Sequence, residues 1–109
     1  MAIENSLIAT TNTTLLIVPS NKTYAITTLV VCNYSSVASD TYNSSFSVHI
    51  VKSGETKNNA NMILNAIPLT AQDSFTFSIE KIILNAGDSI VLTAADNDRL
   101  SATLSYLEV

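Results

Sequence analysis

A single cysteine, Cys32, excludes any disulfide within the chain, and between Val31 and Asn33 it reads as a small apolar side chain that packs. The redox compartment is therefore left open. Glycine is almost as scarce: the only two are Gly54 and Gly87, so no glycine-rich loop exists to cradle a phosphate. A single histidine, His49, has no second histidine or cysteine-rich segment to join it in a zinc site, and no motif-bearing serine to join it in a triad. No catalytic, cofactor-binding or metal-binding residue is assigned, and the chain reads as no enzyme. Charge is sparse as well. Asp, Glu, Lys and Arg make up 13% of the residues, against about 25% in an ordinary soluble domain. The five basic residues, Lys22, Lys52, Lys57, Lys81 and Arg99, are scattered singly and form no patch to neutralise several phosphates, which excludes nucleic acid as the expected partner. The segment Met1-Ala2-Ile3-Glu4-Asn5 has no basic stretch leading into a long apolar run, so neither a signal peptide nor a membrane span is expected, and synthesis is expected in the cytoplasm. The N-x-S/T sequons at Asn12, Asn21, Asn33 and Asn43 then follow from a composition rich in Asn, Ser and Thr.

What remains is a chain of 109 residues, 47% hydrophobic, with a net charge of -4. Its length fits one domain over residues 1–109 with a folded surface of roughly 5,900 Å². A surface of hydroxyls and amides suits a protein packed among copies of itself or against a larger assembly.

The dominant period along the chain is two. Phe46, Val48 and Ile50 alternate with Ser45, Ser47 and His49, which places His49 on the polar, solvent-facing or interface side of its strand. Phe75, Phe77 and Ile79 alternate with Ser74, Thr76 and Ser78. Ile90, Leu92 and Ala94 do so with Ser89, Val91 and Thr93, and Leu100, Ala102, Leu104 and Tyr106 with Ser101, Thr103 and Ser105. The runs TTLLIVP (13–19) and TYAITTLVVCN (23–33) are strands by their β-branched content, parted by a turn at Pro19-Ser20-Asn21-Lys22. ANMILNAIP (60–68) is read as extended and KIILN (81–85) as a short separate strand. About eight strands with no helical period predict an all-β, two-sheet antiparallel sandwich of jelly-roll or immunoglobulin-like kind.

Three loop features compete for a chemical role. Asn85-Ala86-Gly87-Asp88 lies between two strands, where Gly87 supplies a positive φ and Asp88 bonds nearby backbone; Gly54 in VKSGET reads the same way. Asp96-Asn97-Asp98 offers oxygens that suit calcium, but it lacks the acidic spacing of a calcium loop, so a hairpin turn is the reading adopted. Tyr34 and Tyr42 flank the polar segment SSVASDTYNSS (35–45), which includes Asp40; exposed rings there would suit a sugar, whereas Tyr24 falls in a strand pattern and belongs to the core.

The order of phrases adds a resemblance across nearly the whole chain. TTLLIVPSNKTYAITTLVVCN, FSVHIVKSG, ILNAIPLTAQDSFTF with Asp73, IILNAGDSIVLTAA and LSATLSYLEV together resemble small virion structural proteins of tailed bacteriophages, marine and cyanobacterial phages in particular. Such proteins often carry a glycine after the proline of the first turn. Here Ser20-Asn21 stands instead, and asparagine also tolerates left-handed backbone. The resemblance implies a β-sandwich located in the virion and partnered by itself and by major capsid or tail proteins, with no catalytic residues. Capsid decoration (cement) is the role expected for a small single domain without a fibre repeat or coiled coil. A neck or tail component is the alternative, and a carbohydrate- or host-surface-binding module the rival from another class.

Overall fold

The structure, a computed structural model, describes residues 2–109, and of residues 79–81 the backbone only. Eight strands follow one another: β1 (Ala2–Ile8), β2 (Thr13–Ile17), β3 (Thr23–Asn33), β4 (Ser44–Val51), β5 (Met62–Leu69), β6 (Ser74–Asn85), β7 (Ser89–Ala94) and β8 (Leu100–Glu108). Short 3-10 turns lie at Asp40–Tyr42 and Asn59–Asn61. The strands form two antiparallel four-stranded sheets, ordered β1-β8-β3-β6 and β2-β7-β4-β5.

That order settles the topology. β1 pairs with β8, β2 with β7, β3 with β6 and β4 with β5, a single long hairpin rolled until β8 also meets β3 and β7 meets β4. This is a jelly roll, and it displaces the immunoglobulin-like alternative. Every ladder consequently joins a strand from residues 2–51 to one from residues 62–108.

The alternation read from the sequence builds the core. Phe46 and Val48 of β4, Ile90 and Leu92 of β7, Leu29 and Val31 of β3, and Leu100, Ala102 and Leu104 of β8 are buried between the sheets. Each Leu, Ile, Val or Phe among them contributes about 1.5–3 kcal/mol through the apolar area removed from water. Tyr24 packs at the rim with its ring 4.5 Å from that of Tyr106, and Phe75 meets Phe46 edge-on at 5.6 Å. The accessible surface of 5971 Å² equals what a compact monomer of this mass presents.

Two strand assignments change. KIILN is not separate: residues 74–85 form one strand, β6, because its register with β3 slips at Thr27 and resumes. That slip blurs the sequence period, and the side chains of Ile79 and Lys81 lie outside the described ones. Ala2–Ile8 is also a strand although its alternation was not legible. β1 edges its sheet, and β2, its counterpart in the facing sheet, is only five residues long, so both faces of β1 from Ala2 to Leu7 stay exposed. A strand with no buried face carries no period-two signal.

The nesting gathers the connections at two ends. At one end lie the four connections 9–12, 34–43, 70–73 and 95–99; at the other lie 18–22, 52–61 and 86–88.

Candidate functional site

The three-connection end holds the Gly87 turn. Gly87 has φ +87°, its N–H donates to Val18 O, and Val18 N–H donates to Asp88 O, each at 2.9 Å. Asp88 uses both carboxylate oxygens on backbone: Oδ1 accepts from Ser53 N–H and Oδ2 from Asn85 N–H, each at 2.9 Å. A β-carbon on Gly87 would stand 2.7 Å from Ser53 Cβ. Gly54, at φ +81°, has open space around it. Asn21 takes φ 63°, so asparagine does close the turn after Pro19. These residues are turn chemistry.

The four-connection end is the more elaborate. Asn33, at the end of β3, is buried, and its Nδ2 donates to Tyr42 O at 2.8 Å and to Leu69 O at 3.2 Å, while Oδ1 accepts from Ser35 N–H. Arg99 donates from Nη1 to Asn43 O at 2.9 Å, lies 3.5 Å from Asp96 Oδ2, and places its guanidinium 5.8 Å from the centre of the Tyr42 ring. Asp96 Oδ2 also accepts from Ser44 Oγ, and Asn97 Oδ1 from Thr10 N–H. Asp96 and Asn97 are therefore spent on holding connections together, and Asp98 takes a left-handed turn position at φ 60°. Among the described residues no group of three or more His, Cys, Asp or Glu is placed to hold a metal ion.

Tyr34 and Tyr42 reach the surface here, 43% and 40% exposed. With Ser35, Ser36, Asp98 and Arg99 they border a hollow of about 320 Å³. Asp40 opens the 3-10 turn below them, where its carbonyl accepts from Asn43 N–H. The sequence marked the tyrosines; it did not mark Asn33 and Arg99, which organise this end. An Asn closing a long apolar strand and an Arg opening another were the available signals.

His49 is a correction. The residue expected to face solvent or an interface is 3% exposed. The strand alternation does hold against β7, where His49 stands opposite Val91 on the outer side of the β2-β7-β4-β5 sheet. That side is covered locally: Val51, Ser89 and Val91 are buried too, and the 3-10 turn at Asn59–Asn61 packs back on β4. Among the described residues, Nδ1 of His49 has no hydrogen-bond partner. Burial, and then the positive charge of Lys57, hold its pKa below the usual histidine value.

The broadest feature is the outer face of the β1-β8-β3-β6 sheet. Register places Ile3, Asn5 and Leu7 beside Ser101, Thr103 and Ser105, which stand beside Thr28, Val30 and Cys32 of β3, and these beside Ser74, Thr76 and Ser78 of β6. None of these side chains carries a charge. Cys32 is half-buried on this face between Ser74 and Ser101, and is not in the core. Thr27, the residue at the slip, donates to Ser105 O at 3.0 Å and ties β3 to β8.

No protein-family model matches this chain, and no curated protein matches it in sequence.

Proposed function

We propose that this chain is a non-enzymatic virion structural protein, a capsid decoration (cement) protein of a tailed bacteriophage that works by repeated protein-protein contact. The observation that carries the reading is the uncharged stretch of the outer face of the β1-β8-β3-β6 sheet that runs, among the described side chains, from Ile3, Asn5 and Leu7 across to Ser74, Thr76 and Ser78. Covering such a face against a neighbour removes methyl groups and hydroxyls from water but strands no ion, whereas each buried unpaired charge would cost several kcal/mol. Depletion of charge at the centre is what distinguishes protein interfaces from ordinary surface. The resemblance in phrase order supports a virion as the assembly, and a small single jelly roll suits a decorating position better than a neck or tail fibre.

The test is to follow the protein through particle purification with an antibody and to image labelled particles. It should co-purify at a fixed ratio to the major capsid protein, and purified protein should rebind particles that lack it. Confinement to the soluble fraction, with binding on a glycan array, would replace this reading with the second one.

That second reading, a carbohydrate-binding module, is favoured by the Tyr34 and Tyr42 rings sharing one hollow with Asp98 and Arg99. Against it, the Tyr42 ring already carries the Arg99 guanidinium. A Tyr34→Ala variant that loses glycan binding while keeping its melting temperature would establish the module.

A further inference from the structure

Four strands edge the two sheets, and three of them carry features that discourage pairing with another chain. β2 is five residues long and its register breaks between Thr14 and Leu16. β5 contains Pro68, a left-handed Ala66 at φ 48°, and two register breaks against β4. The register of β6 against β3 shifts at Thr27. β1 has only one such feature, the single charge of Glu4 opposite Leu104: seven consecutive residues pair with β8 without a shift, no proline or lysine is present, and among the described residues no strand lies along its other side. Ile3 and Leu7 point outward, 63% and 58% exposed.

The order of side chains in β1 says what fits there. About Asn5 the strand reads alike in both directions: Glu4 answers Ser6, Ile3 answers Leu7, and Ala2 answers Ile8. The geometry points to β1 as the contact with a second copy of this chain, the two β1 strands lying antiparallel across a two-fold axis at Asn5 and joining two sheets into one of eight strands. This rests on the reading of the chain as a protein of repeated contacts and names one of them.

A two-fold contact must be complementary to itself. With the axis at Asn5, Ile3 of each copy stands opposite Leu7 of the other, giving two apolar cross-strand pairs on one face, and Glu4 stands opposite Ser6. Moving the axis to Glu4 would set two carboxylates face to face; moving it to Ser6 would oppose Asn5 to Leu7. Only the Asn5 register matches like with like and separates the charges. The backbone N–H and C=O groups along the free edge find partners in the same step.

The register makes the test specific. In a Cys32→Ser background, Asn5→Cys places a thiol opposite its own symmetry mate, within cross-strand reach. Purified Asn5→Cys should form a disulfide-linked dimer under mild oxidation. Glu4→Cys and Ser6→Cys should each crosslink poorly alone and readily when mixed. By light scattering the unmodified chain should pass from 11.7 kDa to twice that mass with rising concentration. Ile3→Lys with Leu7→Lys should weaken this about tenfold or more while leaving the circular dichroism unchanged. A chain that stays monomeric up to about 100 μM, or Asn5→Cys that crosslinks no faster than Glu4→Cys, overturns the proposal. No particle enters these measurements, so failure to rebind capsids beside an intact Asn5→Cys crosslink refutes the virion reading and upholds the pairing.

Discussion

At Gly87 and Gly54 the same residue type in the same kind of turn has different consequences. Both take positive φ, so an added β-carbon costs about 1 kcal/mol at each by backbone conformation alone. Only at Gly87 does it also strike Ser53. Gly87→Ala should therefore lower the melting temperature clearly more than Gly54→Ala, and equal shifts would refute the crowding at Ser53. Asn33 is held by three hydrogen bonds in the core. Asn33→Leu leaves the carbonyls of Tyr42 and Leu69 and the Ser35 N–H without those partners and should destabilise by about 2–4 kcal/mol in denaturant titration. His49 sets a pH dependence. In the unfolded chain it takes up a proton near its ordinary pKa of about 6.5, while the folded site resists it. The unfolded state thus binds more protons below that pH, so stability is full above about pH 6.5 and falls as the pH drops toward the lowered folded value. Melting curves between pH 7.5 and 5.5 should show this decline, and His49→Leu should flatten it. None of this was legible at His49 itself: alternation assigned the correct face, but the cover over that face comes from residues ten positions further on.

Among elements, legibility followed burial. Strands with one face in the core, such as β4 and β8, were plain in the sequence because period two is the mark that one-sided burial leaves. β1 was missed because neither face is covered, and β6 was split because a slipped register disrupts the period. The count of eight strands survived because one strand was overlooked and another divided. The aromatic end was legible only as two tyrosines beside a polar segment; their shared hollow depends on Asn33 and Arg99, which reach partners far away in sequence, Leu69 for Asn33 and Tyr42 and Asn43 for Arg99. β8 lies inside its sheet, between β1 and β3. Its last residues pair with β3, Leu107 with Ala25 and Glu108 with Tyr24, with Lys22 on the Glu108 carboxylate at 3.0 Å, and among the described residues β1 is paired with β8 as far as Tyr106. Deleting residues 107–109 should cost about 2 kcal/mol, the loss of a few ladder hydrogen bonds, and leave a foldable chain. A chain that cannot be refolded after the deletion would show that this corner is needed for closure.

For the whole molecule, the nested pairing dictates behaviour. Because β1 closes on β8, contacts are long-range throughout, and refolding should take milliseconds to seconds, as for other β-proteins of non-local topology; stopped-flow fluorescence of the tyrosines measures it. The connection 52–61 separates two sets of strands, neither of which contains a complete ladder. Cut there, each fragment should be unfolded alone, and the two should regain a β-sheet circular dichroism spectrum when mixed. A folded spectrum from either fragment by itself would refute that account. The same feature bears on synthesis. A ribosome that has made residues 2–51 has synthesised four strands, none of which has a native partner in existence. At about 5–20 residues per second the nascent chain waits roughly 3–12 s for residues 52–109. During that interval its apolar runs are exposed to one another and to chaperones, so translation speed and chaperone supply, more than any local helix or hairpin, govern how much of the protein reaches its native form.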